Sequence, residues 1–416
     1  MKWPTTTIGS VSQRTRARDP RERPSDLFKY IDIASIDRDQ KVITQTSEMH
    51  GADAPSRARK EVKAGDILVS TVRPNLNAVA IVPPELDGQI ASTGFCVLRP
   101  NSELVDGRYL FYFVRTSVFI DDLTSKVRGA HYPAVSDSDV KSTELPLPPL
   151  AEQRRIAEIL DQADALRKQR AEADAKAARI LPALFYQLFG DLAVNNKGFP
   201  KEKIGKYVKV QGGFAFKSSD FVESGVLVVR IGNLENGYVV KNKAVYLNES
   251  FYKEYARFRL NYGDLLVALT GATTGKTARY WLEDEPALLN QRVGRFLVKP
   301  EVFFSLDYLE SIISSEYVQS KIWQNARGFG QPNIAPRTIE EFEIPVAPEE
   351  LQRKYSELLK TLIPNRNNQE KSKYYLDVLL VVLLHRAFSG ELTAKWREAH
   401  MKELLQEMEH QARALG

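Results

Sequence analysis

The chain repeats itself once, and nothing else in the sequence constrains its fold as strongly. Gly65-Asp66-Ile67-Leu68-Val69 returns as Gly263-Asp264-Leu265-Leu266-Val267, 198 positions later. Trp3-Pro4 with Ile8-Gly9 returns as Phe199-Pro200 with Ile204-Gly205, at an offset of 196. From Tyr109-Leu110 and Tyr308-Leu309 onward the offset is 199. It holds through Arg128-Gly129 and Arg327-Gly328, Pro146 and Pro345, Gln153-Arg154 and Gln352-Arg353, and Phe189 and Phe388. An ordered series with one drifting offset marks a tandem duplication. A unit this long exceeds the roughly 20–50 residues of solenoid repeats and has the size of a domain. The 416 residues therefore hold two units and a C-terminal extension.

Within each unit the first three-quarters reads as mixed β and α. Strand-like runs fall at residues 29–33, 66–72, 79–82 and 95–98, and again at 227–231, 264–269, 277–281 and 294–298. Residues 109–124 and 306–325 carry apolar side chains at helical spacing. The last quarter is different. Pro146-Leu147-Pro148-Pro149 ends the preceding structure, and residues 151–189 place Ile156, Leu160, Ala163, Leu166, Ala177, Ile180 and Leu184 along a helical stripe. Residues 350–388 repeat it with Tyr355, Leu359, Leu362, Leu376, Leu379 and Leu383. A helix of about 40 residues is about 60 Å long and needs a partner along its apolar stripe. Pro182 and Pro364 predict a bend or a helix start inside each.

The expected fold class is α+β. Two mixed α/β domains are joined by two long antiparallel helices, a coiled-coil spacer, in a pseudo-two-fold tandem repeat. The expected boundaries are 1–145, 146–195, 196–344 and 345–416. If the helices pair antiparallel, the domains sit at opposite ends of a dumbbell; the alternative is that each helix caps its own domain.

Composition narrows the function classes. With 43% hydrophobic and 27% charged residues the chain is a folding sequence, not a disordered or collagen-like one. One cysteine, Cys96, excludes an intrachain disulfide and a zinc site built on several thiolates. The start, Met1-Lys2-Trp3-Pro4, has no secretory apolar segment, and the apolar run 378–384 is too short to cross a membrane. A cytoplasmic protein is expected. The net charge of +5 permits a polyanionic partner without demanding one.

Thr270-Gly271-Ala272-Thr273-Thr274-Gly275-Lys276-Thr277 invites a phosphate-loop reading, but only three residues separate the two glycines where four are needed. It also precedes a strand-like run, so no helix N-terminus faces a phosphate. His50, His131, His385, His400 and His410 form no metal-spaced pair. Binding therefore leads catalysis. A duplicated body suits two separated half-sites on an extended target, and DNA is the obvious polyanion. Candidate reading groups recur in the loops of both units. They are Arg73, Asn75, Asn77, Arg128, His131 and Tyr132 in the first. In the second they are Lys217, Arg230, Asn233, Thr270, Thr273, Thr274, Lys276, Asn290, Gln291, Arg292, Arg327, Gln331 and Asn333. Arginine can fork onto guanine and Asn or Gln onto adenine, while Lys and Thr serve phosphates. Two rival classes stay open: a nucleotide-dependent enzyme using residues 270–277, and a structural oligomeriser built on the helices.

Leu145-Pro146-Leu147-Pro148-Pro149-Leu150-Ala151-Glu152-Gln153-Arg154-Arg155-Ile156 opens the first helix. Ile344-Pro345-Val346-Ala347-Pro348 with Gln352-Arg353 opens the second. With Gly212-Gly213-Phe214-Ala215-Phe216-Lys217-Ser218, the paired Gly-Asp strands and Ala387-Phe388-Ser389-Gly390-Glu391-Leu392, the chain resembles the specificity subunits of type I restriction–modification enzymes over nearly its whole length. The resemblance implies two target recognition domains, each reading half of a bipartite double-stranded DNA site. It implies a helix pair that sets the gap and docks two methyltransferase subunits, with motor-nuclease subunits joining for cleavage. It also implies no cofactor in this chain, with S-adenosylmethionine, ATP and Mg on the partners. The first unit departs from the pattern. An arginine-rich stretch, residues 12–23, replaces the Gly-Gly-Phe segment, leaving Arg14, Arg16 and Arg18 as phosphate contacts or surface loop. The tail, residues 393–415, reads as a charged amphipathic helix expected to touch a partner subunit or its own body.

Overall fold

A computed structural model describes residues 3–129, 133–326 and 331–415; for 363–371 and 415 the backbone alone is described. The chain forms two compact units. One comprises Met1–Asp174 with Glu370–Gly416, the other Ala175–Gln369. Both divisions fall inside helical stretches, so each unit holds a mixed domain, the start of the helix that follows it and the end of the other helix. The expected boundaries at 145, 195 and 344 instead follow the sequence order of domain and helix.

The duplication is visible in strand register. In the first unit Thr5–Thr7 pairs antiparallel with Glu144–Pro146, and Ile67–Ser70 pairs with Val79–Ile81 and Phe95–Pro100. In the second, Lys201–Lys203 pairs with Glu343–Pro345, and Leu265–Ala268 pairs with Thr277–Arg279 and Val293–Val298. Leu27–Ile31 runs parallel to Ile90–Ser92 as Val226–Val229 does to Ala287–Leu289. The units differ in what surrounds these strands. The first has two four-stranded sheets, the second a six-stranded and a three-stranded one.

The recurring motifs are scaffolding. Gly65 (φ 85) and Gly263 (φ 90) take the left-handed turn that enters the strand, where an L side chain is disfavoured. The next carboxylate closes the turn: Asp66 accepts the Lys63 amide at 2.8 Å, and Asp264 accepts that of Asn261 at 2.9 Å. Each also pairs with an arginine of the neighbouring strand, Arg99 at 2.7 Å and Arg295 at 2.9 Å. Tyr109 and Tyr308 donate to the carbonyls of Pro146 and Pro345, at 2.7 and 2.9 Å. Gln153 and Gln352, buried at the two helix starts, accept the Asp106 and Ser305 amides and donate to the Pro148 and Ala347 carbonyls. This explains why the proline-rich turns and the glutamine recur together.

The long helices are Leu150–Ala177, Ile180–Phe189 and Glu349–Phe388. The break before Ile180 stands where Pro182 cannot donate to the preceding turn. The second helix is assigned continuously through position 364. Within the first unit the packing is antiparallel. Glu152 meets Thr393 and Arg397, Ile156 and Leu160 share a core with Leu380, Leu384 and Ala387, and Arg167 reaches Asp377 at 3.4 Å. Within the second unit Phe189 packs edge-on against Tyr355 (5.3 Å), with Leu181, Leu184 and Leu359 in the same core.

Of the thirteen stripe residues, Ile156, Leu160, Ala163, Tyr355 and Leu359 are buried, and Ala177, Leu184, Leu362, Leu376 and Leu383 are half-buried. Three are corrections: Leu166 is 52% exposed, Ile180 49% and Leu379 43%. At about 100° per residue, Leu166 stands about 80° off the line through Ile156, Leu160 and Ala163, and Arg167 takes the inner place. Ile180 begins a new helix and does not inherit the earlier phase. Leu379 lies in an apolar run where periodicity cannot choose a face; Leu380, Leu384 and Ala387 are the inward residues.

The tail packs on its own unit. Leu404 and Gln411 are buried, Gln411 donates to the Leu104 carbonyl at 3.1 Å, and Glu407 accepts the Ala151 amide at 2.9 Å. Fully buried Glu152 gathers Trp3 Nε1 (3.0 Å), Thr393 Oγ1 (2.6 Å) and Arg397 Nε (2.7 Å), tying the first strand, the first helix and the tail together. The second unit has Leu351 and Phe199 in the places of Glu152 and Trp3, packed against its apolar core. No helix among the described residues is long and apolar enough to cross a membrane.

Candidate nucleic-acid interface

The strands that carry the Gly-Asp motif end in loops, and backbone hydrogen bonds fuse those loops into one surface in each unit. In the second unit Gly271 donates to Pro332 (2.8 Å), Ile334 to Leu269 (2.9 Å), Leu269 to Arg292 (2.9 Å) and Gln291 to Phe214 (3.0 Å). Asn290 donates to Val229 (3.1 Å), which brings in the turn at 230–233. The described candidates of this unit, scattered over 117 positions from Lys217 to Asn333, therefore lie on one contiguous set of loops. In the first unit Arg73 donates to Pro133 (2.8 Å), Val135 to Thr71 (2.9 Å) and Thr71 to Gly94 (2.9 Å), joining the turn at 71–77 to the loop after Arg128.

Lys217, Gln291, Arg292, Gln331 and Asn333 are exposed on this surface, as are Arg73, Asn75 and Arg128 in the first unit; Thr270, Thr273 and Lys276 are half-buried. Arg128 has 78% of its side chain exposed and lies 3.5 Å from Asp139. Other candidates face inward. Asn77 donates to the Val114 carbonyl at 2.8 Å and accepts from Lys41 Nζ at 2.9 Å. Asn233 donates to the Val240 and Asn242 carbonyls, Thr274 to those of Gly271 and Pro332, and buried Asn290 accepts the Arg292 amide. Arg230 is held by the Lys243 carbonyl at 2.8 Å. These contacts shape the loops, although Arg230 Nε is buried without a hydrogen-bond partner among the described residues. His131, Tyr132 and Arg327 lie outside the described residues.

Residues 270–276 link the antiparallel strands Leu265–Ala268 and Thr277–Arg279, so the glycine-rich stretch is a hairpin loop that opens no helix. Gln319 holds it from the side by donating to the Gly275 carbonyl at 2.9 Å. Sequence reasoning passed over two features here. Phe214, 36% exposed, rises from an aromatic group with Phe216, Tyr255 and Phe258. Arg57 is exposed in the first unit and follows a Pro-Ser pair that reads only as a turn. A surface of Arg, Lys, Asn, Gln and Thr on rigid loops can donate to phosphates and base edges.

The model of the type I restriction modification DNA specificity domain matches residues 25–173 and again 196–374, and the chain belongs to that family. The MjaVIII specificity subunit of Methanocaldococcus jannaschii is 28% identical over 324 residues, spanning 74% of this chain and 75% of that protein. The EcoKI specificity subunit of Escherichia coli strain K12 is 26% identical over 338 residues, spanning 73% and 69%. A chain from a structure concerned with assembly and conformational transition of the type I restriction–modification system matches at TM-score 0.58 and 27% identity, over 94% of this chain and 98% of that one. The type I specificity subunit of M. genitalium shares the fold at TM-score 0.59 and 15% identity, over 93% and 96%.

Proposed function

We propose that this chain is the non-catalytic DNA-reading subunit of a type I restriction–modification complex, each repeat reading one half of a bipartite site. The observation that carries this is the pair of loop surfaces, built twice on one strand register by a member of the DNA specificity family. The helices set the gap between the half-sites and dock methyltransferase subunits. An apolar band on the second helix, with Tyr374, Tyr375, Val378, Val381 and Val382 each more than 40% exposed, supports such docking. Methyl transfer, ATP-driven movement and cleavage fall to partner subunits carrying S-adenosylmethionine, ATP and Mg, acting on DNA in the cytoplasm.

Methylome sequencing of cells expressing this chain with a cognate methyltransferase subunit tests the reading. Methylation at one gapped, two-part sequence is expected; methylation without sequence preference overturns it. The nucleotide-enzyme alternative requires ATP hydrolysis by the pure chain that is lost in Lys276→Ala. The hairpin geometry of residues 270–276 speaks against it.

A further inference from the structure

The turn after Ile67–Ser70 places Arg73 in the left-handed region, φ 49 and ψ 61. Its amide donates to the Pro133 carbonyl at 2.8 Å. The second repeat makes the same bond at the same point, where Gly271, at φ 85, donates to the Pro332 carbonyl at 2.8 Å. The fold asks for a left-handed residue there. Glycine supplies it freely; arginine does so against its own Cβ. Arg73 receives nothing from the fold in return, because its side chain is exposed and holds no hydrogen bond or ion pair among the described residues. A strained residue with an idle side chain points to a contact outside the chain.

Two more exposed arginines, without a carboxylate partner among the described residues, are bonded through their backbones to neighbouring segments of the same unit. The Arg57 carbonyl accepts the Thr93 amide at 2.8 Å, next to the Gly94 carbonyl that receives Thr71. The Arg16 carbonyl accepts the Glu61 amide at 3.2 Å, on the strand that follows Arg57. The stretch at 12–23 is thus bonded to the sheet rather than looped free. Its neighbours are tied down: Arg18 to Glu61, Arg59 to Asp19 and Arg99 to Asp66. Arg16, Arg57 and Arg73, like Arg14 in the same stretch, hold no carboxylate partner among the described residues.

We propose that Arg73, flanked by Arg16 and Arg57, grips the DNA phosphate backbone beside the half-site of the first repeat. This rests on the DNA-reading function above and specifies how that surface holds its ligand. The test uses the complex of this chain with its methyltransferase subunits, a duplex bearing the methylated site and a scrambled duplex, with affinity measured across a salt series. Arg73→Gly installs the residue that the second repeat uses. It is expected to keep or raise the melting temperature and to weaken both duplexes by the same factor. The slope of log affinity against log salt should fall by about one. The double variant Arg16→Ala/Arg57→Ala should lower it by about two. An unchanged slope, a loss confined to one base pair, or a lowered melting temperature for Arg73→Gly overturns the proposal. If the unaltered complex binds both duplexes alike, the DNA-reading assignment itself fails and takes the phosphate grip with it.

Discussion

Single side chains carry two kinds of chemistry here. Glu152 is fully buried with three donors converging on it, and its loss leaves the Arg397 guanidinium, 9% exposed, without its carboxylate. Stranding a buried charge costs about 3–5 kcal/mol. Glu152→Ala should therefore lower the urea midpoint of the first unit's unfolding by a corresponding amount, and Glu152→Gln by less. An unchanged midpoint would show that the cluster does not hold the tail. Lys41 donates to the Asn77 carbonyl at 2.6 Å, and its ammonium is pushed down to about 8 by burial and then by the charges of Arg115 and Arg167. Its folded value lies below its ordinary value of 10.5, so over pH 8–10.5 the unfolded chain binds more protons than the folded one. Stability from this group rises with pH through that window. The protein should gain stability relative to Lys41→Met as pH rises from 8 to 10.5 in parallel thermal melts; a relative stability flat with pH would contradict the assignment. The Cys96 thiol is pushed up to about 12 by burial and the nearby Asp137 charge, so thiol reagents at pH 8 should label it only as the protein unfolds.

At the scale of elements, the long helices show how far periodicity reaches. Heptad-like spacing located both helices and the inward residues Ile156, Leu160, Tyr355 and Leu359. It misplaced Leu379 by one position, because residues 378–384 are apolar on every face and only the neighbouring domain decides which face turns in. Leu380→Ala should cost about 2–5 kcal/mol by opening a cavity, and Leu379→Ala under about 0.5 kcal/mol. Equal losses in chemical denaturation would place the stripe elsewhere. The same comparison probes docking: Leu379→Asp should weaken methyltransferase binding in a pull-down while leaving the melting temperature near its original value.

For the whole molecule, the repeat makes each unit the control for the other. Gly-Asp turns, tyrosine-to-proline-carbonyl bonds and glutamine staples are shared, so they belong to the fold. Arg73 against Gly271, and Glu152 against Leu351, differ, and such differences mark what belongs to one unit rather than to the shared fold. The spacing role is tested at this scale. Deleting about one heptad around residues 171–178, which removes about 10 Å of helix rise, should change the preferred half-site gap in methylome sequencing. An unchanged gap would remove the ruler role.

The sequence by itself determined the duplication, the α+β class, the two long helices and the loops worth inspecting. Those depend on local spacing and turn chemistry, which a chain displays in one dimension. It could not separate Asn77, Asn233, Thr274 and Asn290, whose side chains hydrogen-bond within their own unit, from Gln291, Arg292, Gln331 and Asn333, which stay exposed. Nor could it decide that the arginine-rich stretch is bonded to a sheet edge, or that the tail lies on the first unit. Such outcomes depend on which distant backbone groups meet, and only the tertiary structure brings those groups within hydrogen-bonding distance.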